Sequence, residues 1–225
     1  MKKIFIISLF IGFIAIFLSS SFEAKAEFPS DECDPGFIQL DPIPVSITVD
    51  GQTCDYWVYL CVKCDVSPSS SSFEIYFYCH GPVDINCVLD GKKVIEAIND
   101  IITDPNWIEQ NISNQCFSGW PPCSPLWQKK QITYLVPMCW RKYNWDDLFG
   151  HHGIFYEACS DTKKCKTIYE VCWDGNEYTK TLISGPIATE GSTCKIFNTY
   201  PFEPPDPEPC AYSECFFILG DCPLY

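Results

Sequence analysis

The sequence predicts a mainly β (α+β) protein: a disulfide-rich antiparallel sheet or sandwich-like body with one docked helix. Three observations carry that prediction. Sixteen cysteines are spread along 225 residues, and all of them follow a segment with the composition of an export signal. Several segments alternate apolar and polar residues with a period of two, the mark of half-buried strands. One segment alone shifts clearly to the 3.6-residue period of an amphipathic helix.

The export segment comes first. Lys2 and Lys3 precede the apolar run from Ile4 to Leu18, and Ala24-Lys25-Ala26 has small residues at both outer positions. That layout reads as a signal peptide over residues 1–26. The run is short for a bilayer span, which needs about twenty apolar residues. Later apolar runs are interrupted by charge, Cys or Pro, so no transmembrane segment is expected in the mature chain. An even number of cysteines in an exported chain reads as a disulfide framework, here of up to eight bridges. Residues 27–200 are expected to form the stapled β-rich domain. The pattern also accommodates two lobes, 33–88 and 128–200, joined by a helical segment 90–125.

The strands follow in order. "VSITV" (Val45–Val49) alternates cleanly, and Asp50-Gly51 is a hairpin turn signal. The returning strand, about Cys54 to Cys64, carries Tyr56, Val58, Leu60 and Val62 on one face and Trp57, Tyr59 and Cys61 on the other. Cys61 and Cys64 are three residues apart, so a regular strand points their side chains to opposite faces. They are therefore expected to join different partners. Ser67–Ser72 is a loop, and Phe73–Cys79 alternates again.

Asp90–Thr103, "DGKKVIEAINDIIT", changes period. Val94, Ile95, Ile98, Ile101 and Ile102 share one side, and Asp90 is placed to cap the first turn. Asp104-Pro105 ends this helix and offers the start of a short second one. Asn111-Ile112-Ser113 matches a glycosylation acceptor. "QITYLVPMCWRKY" resumes strand character, with Pro137 marking an edge or a break. "IFYEAC" and "CKTIYEVCW" read as a hairpin around "SDTKK". Asp174-Gly175-Asn176 then turns into "EYTKTLI", and Ser184-Gly185-Pro186 reads as a turn. Residues 201–225 form a Pro-rich tail, pinned by Cys210, Cys215 and Cys222.

Charge narrows the partners. Without residues 1–26, which hold three lysines and one glutamate, the chain keeps 12 basic and 28 acidic residues, a formal net charge of −16. Long-range repulsion disfavours nucleic acid as a ligand. The calcium-loop pattern D-x-[DN]-x-[DN]-G is absent.

The chemistry-bearing motifs are sparse. "CVKC" lacks the second paired knuckle of a zinc site and the strand-to-helix context of a redox pair. The one compact polar cluster is "WDDLFGHHG", with Asp146, Asp147, His151 and His152 in a loop or single helical turn. Such groups suit metal ligation or acid–base work, but Gly150 and Gly153 interrupt the turn and the H-E-x-x-H motif is missing. No residue is assigned a catalytic, cofactor-binding or metal-binding role, and no cofactor is expected. Trp120, Trp127, Trp140 and Trp145 crowd a Pro- and Cys-rich region, where an aromatic platform could stack on sugars or grip a protein. These features together suit a non-catalytic secreted or cell-surface structural or binding protein of the adhesion type, in the periplasm or beyond the outer surface, with a surface protein or glycan as partner. The contrasting expectation is a secreted hydrolase acting on polysaccharide or peptide through dispersed carboxylates. An enzyme should gather titratable groups in a cleft; a binding module should expose an apolar patch or an unpaired edge strand.

Overall fold

The computed structural model describes residues 33–64, 72–84, 86–87, 89–112, 116, 119–123, 129–146, 152–195, 213–217 and 222. The expected signal peptide, the loop 67–71 and most of the Pro-rich tail, Cys210 included, lie outside them. Among the described residues one mixed sheet of ten strands forms the body, with two helices against it. The mainly β, disulfide-rich class expected from the sequence is the observed one.

Strands β1 (Ile38–Gln39), β2 (Ile43–Val49) and β3 (Gln52–Cys64) open the chain. The Asp50-Gly51 turn between β2 and β3 has positive φ at both residues, 52° and 83°, which is the primed geometry that matches strand twist. β4 (Ser72–Pro82) returns antiparallel to β3. The pairing slips where Leu60 faces Phe77 but Tyr59 faces Cys79, leaving Tyr78 as the extra residue of a bulge. The bulge exchanges the faces of β4. Phe77 packs in the large core, while Tyr78 and Cys79 join a second cluster with Tyr59, Cys61, Tyr76, Tyr143 and Phe155.

Helix α1 (Gly91–Ile102) begins as expected, with the Asp90 carboxylate accepting the Lys93 amide at 3.0 Å. Val94, Ile95, Ile98 and Ile102 are all buried in the large core against the sheet. The Asp104-Pro105 signal does start a second helix, α2 (Pro105–Asn111), whose N-cap Asp104 accepts from Asn106 and Trp107.

The remaining strands are β5 (Lys130–Pro137), β6 (Cys139–Asp146), β7 (His152–Ala158), β8 (Lys164–Trp173), β9 (Tyr178–Ala188) and β10 (Phe216–Phe217). Pro137 ends β5, and the Trp140 indole then donates to the Pro137 carbonyl at 2.8 Å. Three details differ from the sequence reading. β5 lies parallel to β4, so the sheet is not wholly antiparallel; the two helices form the crossover that a parallel pair requires. β7 does not form a hairpin with β8. It pairs with β6 and with β4, while β8 pairs with β5 and β9. Ser184-Gly185-Pro186 is not a turn between elements but lies within β9, where the register to β8 shifts twice.

Seven disulfides staple the described residues: Cys33–Cys61, Cys54–Cys87, Cys64–Cys116, Cys123–Cys172, Cys139–Cys194, Cys159–Cys215 and Cys165–Cys222. Cys61 and Cys64 join different partners, as strand alternation requires. Cys215 pins the tail to Cys159, just past the end of β7, and Cys222 pins it to Cys165 of β8. The eighth bridge of the sequence reading is not formed at Cys79, which is buried and free. Non-reducing peptide mapping should recover Cys33–Cys61 and Cys64–Cys116 as separate linked pairs; a Cys61–Cys64 peptide, or zinc held by both thiols in protein purified without reductant, would refute this framework.

Candidate protein-binding edge

The polar cluster singled out in the sequence falls at the end of the β6–β7 hairpin. Asp146 closes β6 and His152 opens β7, directly opposite each other in the ladder. Both belong to strands. Asp147 and His151, with the side chains of Asp146 and His152, lie outside the described residues. Among the described residues no group of three or more metal-ligating side chains comes together.

Two buried polar features were not foreseen. On one face Arg141 (β6) stands across from Glu157 (β7), and its guanidinium holds the nearly buried carboxylate at 2.7 and 2.8 Å. Glu157 in turn faces Cys79 across the β4–β7 pairing. Burial holds the Cys79 thiol well above the usual range; the Glu157 charge adds to this and the Arg141 charge opposes it. A protonated, inaccessible thiol is neither a nucleophile nor a metal ligand. On the other face His80 is fully buried among aromatic rings, stacked on Tyr156 with centroids 5.1 Å apart and planes 5° from parallel. "YCH" carries no sequence signal for either feature, because the bulge that places Cys79 and His80 is set by pairing with β3.

The sheet edges differ sharply in what they offer a partner. β2 is an edge, and its outward positions Pro44, Ser46 and Thr48 are polar or lack an N–H. Ser46 bonds Asp55 and Thr48 bonds Thr53 on that face. β10 has only two residues. β9 is eleven residues long and, among the described residues, pairs on one side only, with β8. Leu182, Ile183 and Ile187 in β9 are 40%, 48% and 58% exposed, three of the five exposed large hydrophobics among the described residues. A long edge carrying aliphatic side chains is the template that natural sheets ordinarily blunt or cover.

The local structure explains the exposure. At its first end β9 is held: Tyr178 packs on Trp173 at 4.5 Å, and its hydroxyl bonds Glu109 of α2. Lys180 reaches the Thr103 carbonyl at 3.2 Å and lies over the Tyr169 ring at 4.5 Å. Among the described residues neither helix buries the strand beyond Lys180, where Thr181, Leu182 and Ile183 are exposed. Gly185 has φ +95°, and a Cβ there would sit 2.4 Å from the Lys166 carbonyl oxygen. Only glycine therefore lets the second half of β9 lie this close to β8. That close approach sets Ile187 opposite Lys166 on the outer face.

None of the described tryptophan side chains is fully exposed. Trp140 is buried, and Trp57, Trp107, Trp120 and Trp173 are half-buried. The side chains of Trp127 and Trp145 lie outside the described residues. In comparisons with known proteins, no family model, no curated protein and no solved structure matches this chain.

Proposed function

We propose that the chain is a non-catalytic secreted or cell-surface structural or binding protein of the adhesion type, and that it holds its partner along β9. The observation carrying this reading is the long, one-sided β9 edge with Leu182, Ile183 and Ile187 exposed. Strand addition to such an edge gives affinity through backbone hydrogen bonds and specificity through alternate side chains. Seven disulfides suit an oxidising exterior. Among the described residues no helix is long and apolar enough to cross a membrane. Aliphatic side chains beside open backbone fit a polypeptide better than a sugar ring, which stacks on exposed aromatic faces.

The test uses lysines, which natural edge strands carry to prevent pairing. Leu182→Lys, Ile183→Lys and Ile187→Lys, alone and together, should release the protein from the outer surface in culture fractionation. Each single change should move stability by no more than about 0.5 kcal/mol, because the side chains are exposed. Changing Asp146, Asp147, His151 and His152 should leave surface binding intact. Cytoplasmic retention would defeat the localisation. Turnover of a glycan or peptide library that disappears with Asp147→Asn would defeat the non-catalytic assignment.

A further inference from the structure

Among the described residues, the limb made of β6, β7 and β10 joins the other named strands through two residue pairs, Cys79↔Glu157 and His80↔Tyr156, and a single bridge, Lys195↔Phe216, links it to the segment after β9. One of the four residues in the β4–β7 pairs is an imidazole fully removed from solvent, with no hydrogen-bond partner at either ring nitrogen. Its surroundings come from every element at this junction. Tyr56 of β3 lies at 5.9 Å, Phe77 of β4 at 5.7 Å, Trp140 of β6 at 5.5 Å and Tyr156 of β7 at 5.1 Å, as ring centroids. The Tyr156 ring also lies against Gly91, the first residue of α1, where a Cβ would come within 2.9 Å of it. Among the described residues no charged group contributes to the shift of the imidazole, which burial alone causes. Tyr56, the titratable neighbour from β3, is pushed up to about 12 by burial and stays neutral. The nearest ion pair in the ladder, Arg141–Glu157, belongs to the adjacent register position and to the opposite face.

We propose that His80 is an acid-operated latch, whose protonation releases the β6–β7–β10 limb from β4. A charged imidazole cannot be accommodated among these rings without water or a counter-ion. It is favoured only when the β4–β7 pairing opens and the ring reaches solvent. Burial lowers its pKa from 6.5 to about 3 while the limb is closed. The open form therefore binds the proton more tightly than the closed one. The latch is fully engaged above pH 6.5 and weakens as pH falls from 6.5 towards 3. Opening should increase about ten-fold for each pH unit in that window. The disulfides of the limb, Cys139–Cys194 and Cys159–Cys215, tie it to the C-terminal segments and not to β4, so no disulfide crosses the β4–β7 pairing; the chain at Met138 and the Cys165–Cys222 bridge keep the opened limb tethered to β5 and β8. The proposal does not depend on what β9 binds.

Cys79 supplies the reporter. It adjoins His80, is buried and is free. The full chain, disulfides intact, is exposed to dithiodipyridine, a thiol reagent that works in acid, and modification of Cys79 is followed by peptide mass analysis. Rates are divided by that of the unfolded protein at the same pH. Normalised labelling should rise about 100-fold between pH 7 and pH 4.5, two units below the ordinary imidazole value. In His80→Phe, and in the smaller His80→Leu, it should rise far less. The amides of β6 and β7 should lose exchange protection with the same pH profile. Labelling that is flat with pH, or that rises equally in both variants, overturns the latch. Acceleration accompanied by equal loss of protection in α1 and β2 overturns it too, because the whole fold would then be opening.

Discussion

Ile98→Asp is expected to abolish the cooperative thermal transition of the protein. Ile98 is fully buried at the centre of the α1 stripe, with Val94, Ile95 and Ile102 on either side of it. Burial of each aliphatic side chain contributes about 1.5–3 kcal/mol. The aspartate forfeits that contribution and brings a carboxylate into an apolar layer with no cation to meet it, a cost of several kcal/mol more. The sum approaches the whole stability of an ordinary domain, about 5–15 kcal/mol. Circular dichroism melts at pH 7 decide the matter. An unchanged midpoint would mean that α1 is not docked, and that the β4–β5 crossover needs no helix to hold it.

The second large effect is expected at the Arg141–Glu157 pair. Glu157 is 2% exposed, so removing the guanidinium takes the cation at 2.7 Å away from a buried carboxylate. Arg141→Met should cost about 3 kcal/mol. The double variant Arg141→Met, Glu157→Gln should recover most of it, since a neutral amide is cheaper to bury than an unpaired charge. Denaturant titration of the wild type, the two single variants and the double variant gives the coupling directly. If the singles add up in the double, the pair is not coupled and the buried carboxylate is satisfied elsewhere.

Much of the fold was legible because its signals are local. The Asp50-Gly51 turn and the alternation on either side of it fix β2 and β3. The Asp90 cap and the isoleucine stripe fix α1, and the opposite faces of Cys61 and Cys64 separate their bridges. What the sequence did not disclose is pairing between distant segments. β4 and β5 read as strands, and α1 as a helix, yet nothing local says that the helix connects two neighbours in one sheet. A strand–helix–strand order makes parallel pairing natural, and the Cys-rich irregular stretch after Cys116 obscured that order. "IFYEAC" and "CKTIYEVCW" flank a good turn sequence, but β8 finds β5 and β9, while β7 closes on β6 through the segment that holds Asp147 and His151. The candidate edge was half legible. "EYTKTLI" reads as a strand, whereas Ser184-Gly185-Pro186 looked like its end. A glycine that permits close backbone approach and a turn glycine are indistinguishable until the neighbour, here the Lys166 carbonyl, is known. His80 and Cys79 were invisible as a pair for the same reason: the bulge that decides which face each of them takes exists only in the register with β3.

The disulfide map has a consequence for what a protease could do. None of the seven bridges crosses from residues 33–116 to residues 123–222; three close within the first stretch and four within the second. The sheet interleaves the same two stretches, with β4 lying beside both β5 and β7. One cut between Cys116 and Cys123 would therefore leave a two-chain molecule whose halves share a sheet but no covalent bond. Its cohesion would become an association equilibrium, dependent on concentration, although every cystine remained intact. Each half is stapled against its own disorder, and their union rests on strand pairing and a shared apolar core, with no covalent link.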